Sequence, residues 1–108
     1  MGPPPLLDVA VGVATGIVSG RYKSNDHALR AIARHARGHT GVERQVALDA
    51  ALQLVRTAMA RFEELNPPLG YNPQLSQVLL ERLARDFPQF SLEARREAVI
   101  WCDIWFCK

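Results

Sequence analysis

The sequence predicts an all-α fold, a single compact bundle of about five helices with some orthogonal crossings, formed by residues 1–108 as one domain. Three observations carry that reading. Apolar side chains recur at helical spacing, most regularly at Leu48, Leu52, Val55, Met59 and Phe62. The periodic stretches are separated by residues that stop one helix and cap the next, namely Gly38, the Asn66-Pro67-Pro68 run, and Pro88 followed by Ser91. Alanine is abundant and arginine outnumbers lysine eleven to two, and both residue types lose little side-chain entropy in a helix. Apolar residues at 48% and charged residues at 22% match ordinary globular usage, which excludes a disordered or low-complexity chain.

The first element, residues 6–20, carries two patterns at once. Val9, Val11 and Val13 alternate as in a strand, while Leu6, Val9, Val13 and Ile17 form a helical stripe; the helix is favoured. Gly12, Gly16 and Gly20 then recur every four residues and leave a bare ridge for close packing, within the chain or across a dimer seam. Ser24, Asn25 and Asp26 offer N-caps for a helix to about Arg37, with Ala28, Leu29, Ile32, Ala33 and Ala36 on its apolar face and Gly38 as the stop. Residues 42–65 form the longest helix, its stripe broadened by Ala47, Ala51, Leu54 and Ala58. After the proline break, Asn72 caps and Pro73 opens a fourth helix to about Phe87, with Leu75, Val78, Leu79, Leu83 and Phe87 facing inward. Pro88 ends it, Phe90 closes the corner and Ser91 caps the fifth.

That last helix holds every tryptophan and cysteine of the chain, in Trp101-Cys102-Asp103-Ile104-Trp105-Phe106-Cys107. Apolar residues on nearly every side mean a helix inserted into the core or shared with a partner. Trp101, Trp105 and Phe106, with Gly12 and Gly16, are therefore the candidate partner-binding residues. Asp103 interrupts the aromatics and requires a partner such as an arginine or a helix N-terminus.

Net charge is +2, concentrated toward the front of the chain: residues 1–60 carry seven Arg or Lys against four Asp or Glu, and residues 61–108 six against seven. Arg30, Arg34 and Arg37 lie opposite the apolar face of the second helix, with Arg21 and Lys23 just ahead, a surface suited to phosphates or an acidic partner. Within it, Val18-Ser19-Gly20-Arg21-Tyr22-Lys23-Ser24, followed by Ala28-Leu29-Arg30, resembles the turn between the two helices of ParD-type ribbon-helix-helix antitoxins. The resemblance spans about twenty residues and implies a DNA-binding regulator with a helix starting near Ser24. The family places a DNA-reading strand before its first helix, whereas here Met-Gly-Pro-Pro-Pro precedes a glycine-rich apolar segment, so no residue role is carried over.

No catalytic, metal-binding or phosphate-binding constellation stands out. His35 and His39 have the spacing of a metal pair, but Gly38 ends the helix between them and no third ligand is near. Cys102 sits among aromatics that raise its pKa, and Gly38-His39-Thr40-Gly41 lacks P-loop spacing. Cys102 and Cys107 lie about 500° apart around a helix and cannot bridge each other, pointing to a reducing compartment. Residues 6–20 fall short of the roughly twenty apolar residues of a membrane span, and no basic segment precedes them. The expected protein is thus cytoplasmic, without cofactor, metal or membrane partner. Its expected function is that of a non-enzymatic helical interaction module, an adaptor or homo-oligomer. The alternative is a small DNA-binding regulator using residues 21–44.

Overall fold

The computed structural model describes residues 5–65 and 73–106, without the side chains of residues 73 and 106. Its regular structure is helical throughout: α1 (Leu6–Val18), α2 (Asn25–His35), α3 (Gly41–Glu64), α4 (Pro73–Asp86) and α5 (Leu92–Phe106). The all-α class with five helices is therefore the observed one. The expected Asn72 cap, Cys107 and the Phe106 side chain fall outside the described residues. By proximity the chain divides into two units, Met1–Gln53 and Leu54–Lys108, with the boundary inside α3.

In the first unit α1 packs on α2. Residues 6–18 are helix, which settles the double pattern of valines, and Asp8 in the first turn complements the helix dipole. The buried positions are Ala10, Val11, Val13, Ala14 and Gly16; of the expected stripe only Val13 is fully buried, because the small residues allow the closest approach. The expected three-glycine ridge is also corrected at its end. Gly20 lies past the helix with φ +87°, a left-handed conformation open to glycine. There the Gly20 N–H donates to the Ile17 carbonyl and the Arg21 N–H to the Gly16 carbonyl, at 3.0 and 2.7 Å. This is the Schellman arrangement, which satisfies two otherwise orphaned carbonyls.

The Ser24 hydroxyl caps α2 by accepting from the His27 N–H at 3.1 Å. The helix stops at His35, slightly short of the expected Arg37. Ala28, Ala31, Ile32 and Ala36 are buried, while Leu29 and Ala33 are half-covered. The start of α3 is fastened by a capping box of T-x-x-E pattern, which is not among the sequence expectations. The Glu43 N–H donates to Thr40 Oγ1 at 3.1 Å, and the Thr40 N–H donates to Glu43 Oε1 at 2.8 Å. Hydrogen bonding of the Thr40 N–H and then of its side chain to the Glu43 carboxyl, with the charges of His39 and Arg44, holds that carboxyl below its ordinary pKa. Asn25 Nδ2 donates to Gln45 Oε1 at 2.7 Å, tying the start of α2 to α3.

In the second unit α4 packs on α5. Leu54, Val55, Ala58 and Phe62 from α3, and Leu79 and Leu83 from α4, are buried as the periodicity requires. Val78 departs from the expected inner face and is 40% exposed, because it lies about 100° around the helix from Leu79. The α4–α5 corner is built on Phe87 and Phe90, whose rings meet edge-on at 6.2 Å. Arg95 Nη1 donates to the carbonyls of Phe87 and Phe90, at 3.3 and 2.6 Å, placing a cation at the C-terminus of α4. Ser91 caps α5 as expected, accepting from the Ala94 N–H at 3.1 Å.

Candidate functional site

The buried face of α5 consists of small residues. Ala94, Ala98 and Cys102 follow one another at intervals of four and are essentially inaccessible, with Val99 beside them. Four apart on the opposite side stand Ile100 and Ile104, 56% and 63% exposed. The expectation of apolar insertion on nearly every side is thus met on one face only. Trp101 is half-buried and stacks on Trp105, ring centroids 5.2 Å apart and planes 13° from parallel. Trp105 is 39% exposed near the end of the helix. Ile100 and Ile104 were not singled out by sequence, although the recurrence of Ala94, Ala98 and Cys102 marks the inward face and therefore the outward one.

A cleft of about 300 Å³ runs beside this strip between α4 and α5, lined by Ser76, Leu80, Arg96, Val99, Ile100 and Asp103. Its polar groups are Ser76 and Gln77 on α4, and Arg96 and Asp103 along one side of α5. The partner of Asp103 is neither an arginine nor a helix end; the Ser76 hydroxyl of α4 donates to its Oδ2 at 2.9 Å. A half-buried carboxylate with a hydroxyl partner and an open cleft does not carry the desolvation cost of a sealed one. Next to it the Cys102 thiol is pushed up to about 12, first by burial and then by the charge of Asp103, which makes it a poor nucleophile at neutral pH.

The glycine candidates are placed differently. Gly16 is buried, and a methyl group added there would stand 2.5 Å from the Tyr22 ring, so the chain's own tyrosine covers this part of the ridge. Gly12 is half-buried, and its carbonyl accepts from Thr15 Oγ1 at 2.7 Å.

Arg21, Lys23, Arg30, Arg34 and Arg37 are all exposed. Arg30 and Arg44 line a cleft of about 400 Å³ between α2 and the start of α3, with Asp26 at its edge. Arg44 Nη1 donates to the His39 carbonyl, which fixes its direction. The turn behind the ribbon-helix-helix resemblance does join two helices and end in the Ser24 cap, but no strand occurs among the described residues. A smaller basic cleft holds Arg61, Arg82 and Arg85 with Asp86. Arg61 is paired with Glu64 at 3.2 Å, and it and Arg85 lie in last helical turns, where cations complement the helix dipole.

His27 packs edge-on against Tyr22 at 5.0 Å, and His39 Nδ1 lies 4.0 Å from Glu43 Oε2. Among the described residues no three His, Cys, Asp or Glu side chains converge as a metal site requires, and no helix is long and apolar enough to cross a membrane. No protein-family model matches the sequence, and neither the comparison with curated proteins nor that with solved structures returns a match.

Proposed function

We propose that this chain is a non-enzymatic helical interaction module that docks a protein partner on the outer face of α5. One observation carries the reading: Ile100 and Ile104 stand side by side in solvent, with Trp105 at the end of the same helix. A single exposed apolar side chain is ordinary, but adjacent ones form a strip. Covering the exposed part of each isoleucine contributes about 1–2 kcal/mol, enough for a few such residues to matter at an interface. The small-residue face turned inward supports the same division of labour, since it seats the helix and leaves the large side chains outside.

A photo-cross-linking residue at position 100, expressed in the source cells, is expected to form covalent protein adducts. The same residue at position 56, exposed and polar on α3, serves as the control and is expected to form none. Absence of adducts at position 100 would overturn the reading.

The Arg30–Arg44 cleft and the exposed Arg34 and Arg37 favour a second reading, in which the first unit contacts a nucleic-acid backbone. It predicts duplex DNA binding that weakens steeply with salt and is lost when Arg30, Arg34 and Arg37 are replaced by alanine. Binding unchanged in the triple variant would remove it.

A further inference from the structure

We infer, building on the α5 reading above, that the partner is a second copy of this chain, docked antiparallel, α5 against α5, across a two-fold axis near Ile100. The inference comes from the arrangement of charge around the exposed strip. At about 100° per residue, Ile104 lies about 40° to one side of Ile100, whereas Arg96 and Asp103 lie about 40° and about 60° to the other. Along the helix axis Arg96 precedes Ile100 by about 6 Å and Asp103 follows it by about 4.5 Å. Opposite charges thus flank an apolar centre at nearly equal distances and on the same side.

A two-fold axis perpendicular to the helix reverses order along it but preserves side. Applied at Ile100, it sets Arg96 of each copy against Asp103 of the other, within about 1.5 Å of register. The same operation lays Ile100 on its equivalent and sets each Ile104 level with the other copy's Arg96 but on the opposite flank, clear of those two charges. Glu97 lies on the other flank of the strip, so the axis brings no acid against Asp103 from there. An unrelated partner would have no reason to match this spacing; a second copy matches it by symmetry.

The single chain leaves the charges suited to this use. Arg96 and Asp103 are seven residues apart on one helix, about 10 Å along the axis, too far to pair with each other. Arg96 belongs to neither ion pair found among the described residues, His39–Glu43 and Arg61–Glu64. The Ser76 hydroxyl holds the Asp103 carboxylate at the cleft, and a carboxylate bonded once retains capacity for a guanidinium. Between the two charges the cleft offers Leu80, Val99 and Ile100 to an incoming isoleucine.

Sedimentation velocity over a micromolar concentration series tests the pairing with the full chain and the variants Arg96→Glu and Asp103→Arg. The unmodified chain is expected to dimerise, and each variant alone to raise the dissociation constant by about tenfold or more, since each sets like charges against each other twice. Mixing the two variants sets every new charge against an opposite one and is expected to restore dimer as a heterodimer. Circular dichroism melts of each variant confirm that loss of dimer is not loss of fold. A monomeric unmodified chain at high micromolar concentration, or a dimer indifferent to Arg96→Glu, overturns the pairing. If cross-links from position 100 then run at masses other than twice the chain, the contact surface survives without self-association; if no cross-links form, both readings fall.

Discussion

Gly16 is held in place by the ring beside it. Its carbonyl receives the Arg21 and Tyr22 N–H groups, which turn the chain back, and the Tyr22 ring then lies where a Cβ would be, 2.5 Å away. Gly16→Ala is expected to cost about 1–3 kcal/mol in urea denaturation, as overpacking does. Removing the ring with Tyr22→Ala should abolish that penalty. In that background Gly16→Ala should instead stabilise, by up to about 1 kcal/mol of helix propensity. Equal penalties in both backgrounds would mean that the ring is not the cause. Cys102 makes a second residue-scale case, because its thiol is raised from 9.0 to about 12 by burial and the nearby Asp103 charge. The folded protein therefore retains a proton that the unfolded chain releases, so this contribution to stability is complete below pH 9 and declines as pH rises toward 12. In a Cys107→Ser background, alkylation of Cys102 at pH 8 is expected to be slow until denaturant unfolds the chain. Rapid labelling of the folded form would contradict the burial.

At the scale of single helices, caps account for where each begins. The Thr40–Glu43 box fastens α3, and Thr40→Ala is expected to lower stability by about 1 kcal/mol at pH 7. Glu43 is held below its ordinary pKa by those same bonds, so the contribution is present above the ordinary carboxylate value and is lost as pH falls through the lowered one. The cost of Glu43→Ala should accordingly shrink in acid melts; a cost constant down to pH 2 would show that the carboxylate takes no part. This box is legible in the sequence as T-x-x-E, within a Gly38-His39-Thr40-Gly41 stretch whose glycines read as a loop. Ser91 is legible as a cap because it stands immediately before a periodic apolar run, whereas Ser24, Asn25 and Asp26 are equally good candidates until the His27 N–H selects Ser24. The direction of α5 was less legible. Ile100, Trp101, Cys102, Ile104 and Trp105 have similar hydrophobicity, so periodicity could not say which were covered; only the packing of small residues against a neighbour separates Cys102 from Ile100. The Ser76–Asp103 bond joins residues 27 apart in sequence, a distance over which no local pattern carries information.

For the molecule as a whole, α3 decides how the chain unfolds. The two units divide at Gln53 and Leu54, yet the helix continues through that point from Gly41 to Glu64. Ala47, Leu48 and Ala51 are buried before the division, and Leu54, Val55, Ala58 and Phe62 after it. Breaking a helix in its interior forfeits hydrogen bonds and creates two new frayed ends, so neither half of α3 melts without penalty to the other. A single cooperative transition is the expected outcome, although each unit has its own buried side chains. Ile32 and Leu79 are both fully buried, one in each unit. Ile32→Ala and Leu79→Ala are each expected to destabilise by about 2–5 kcal/mol, and each should lower the same thermal midpoint, whether followed by Trp emission from α5 or by helical circular dichroism. The tryptophans lie only in the second unit, which makes Ile32→Ala the stricter test. If that substitution left the tryptophan transition in place while part of the helical signal melted earlier, the units would fold independently despite the continuous α3.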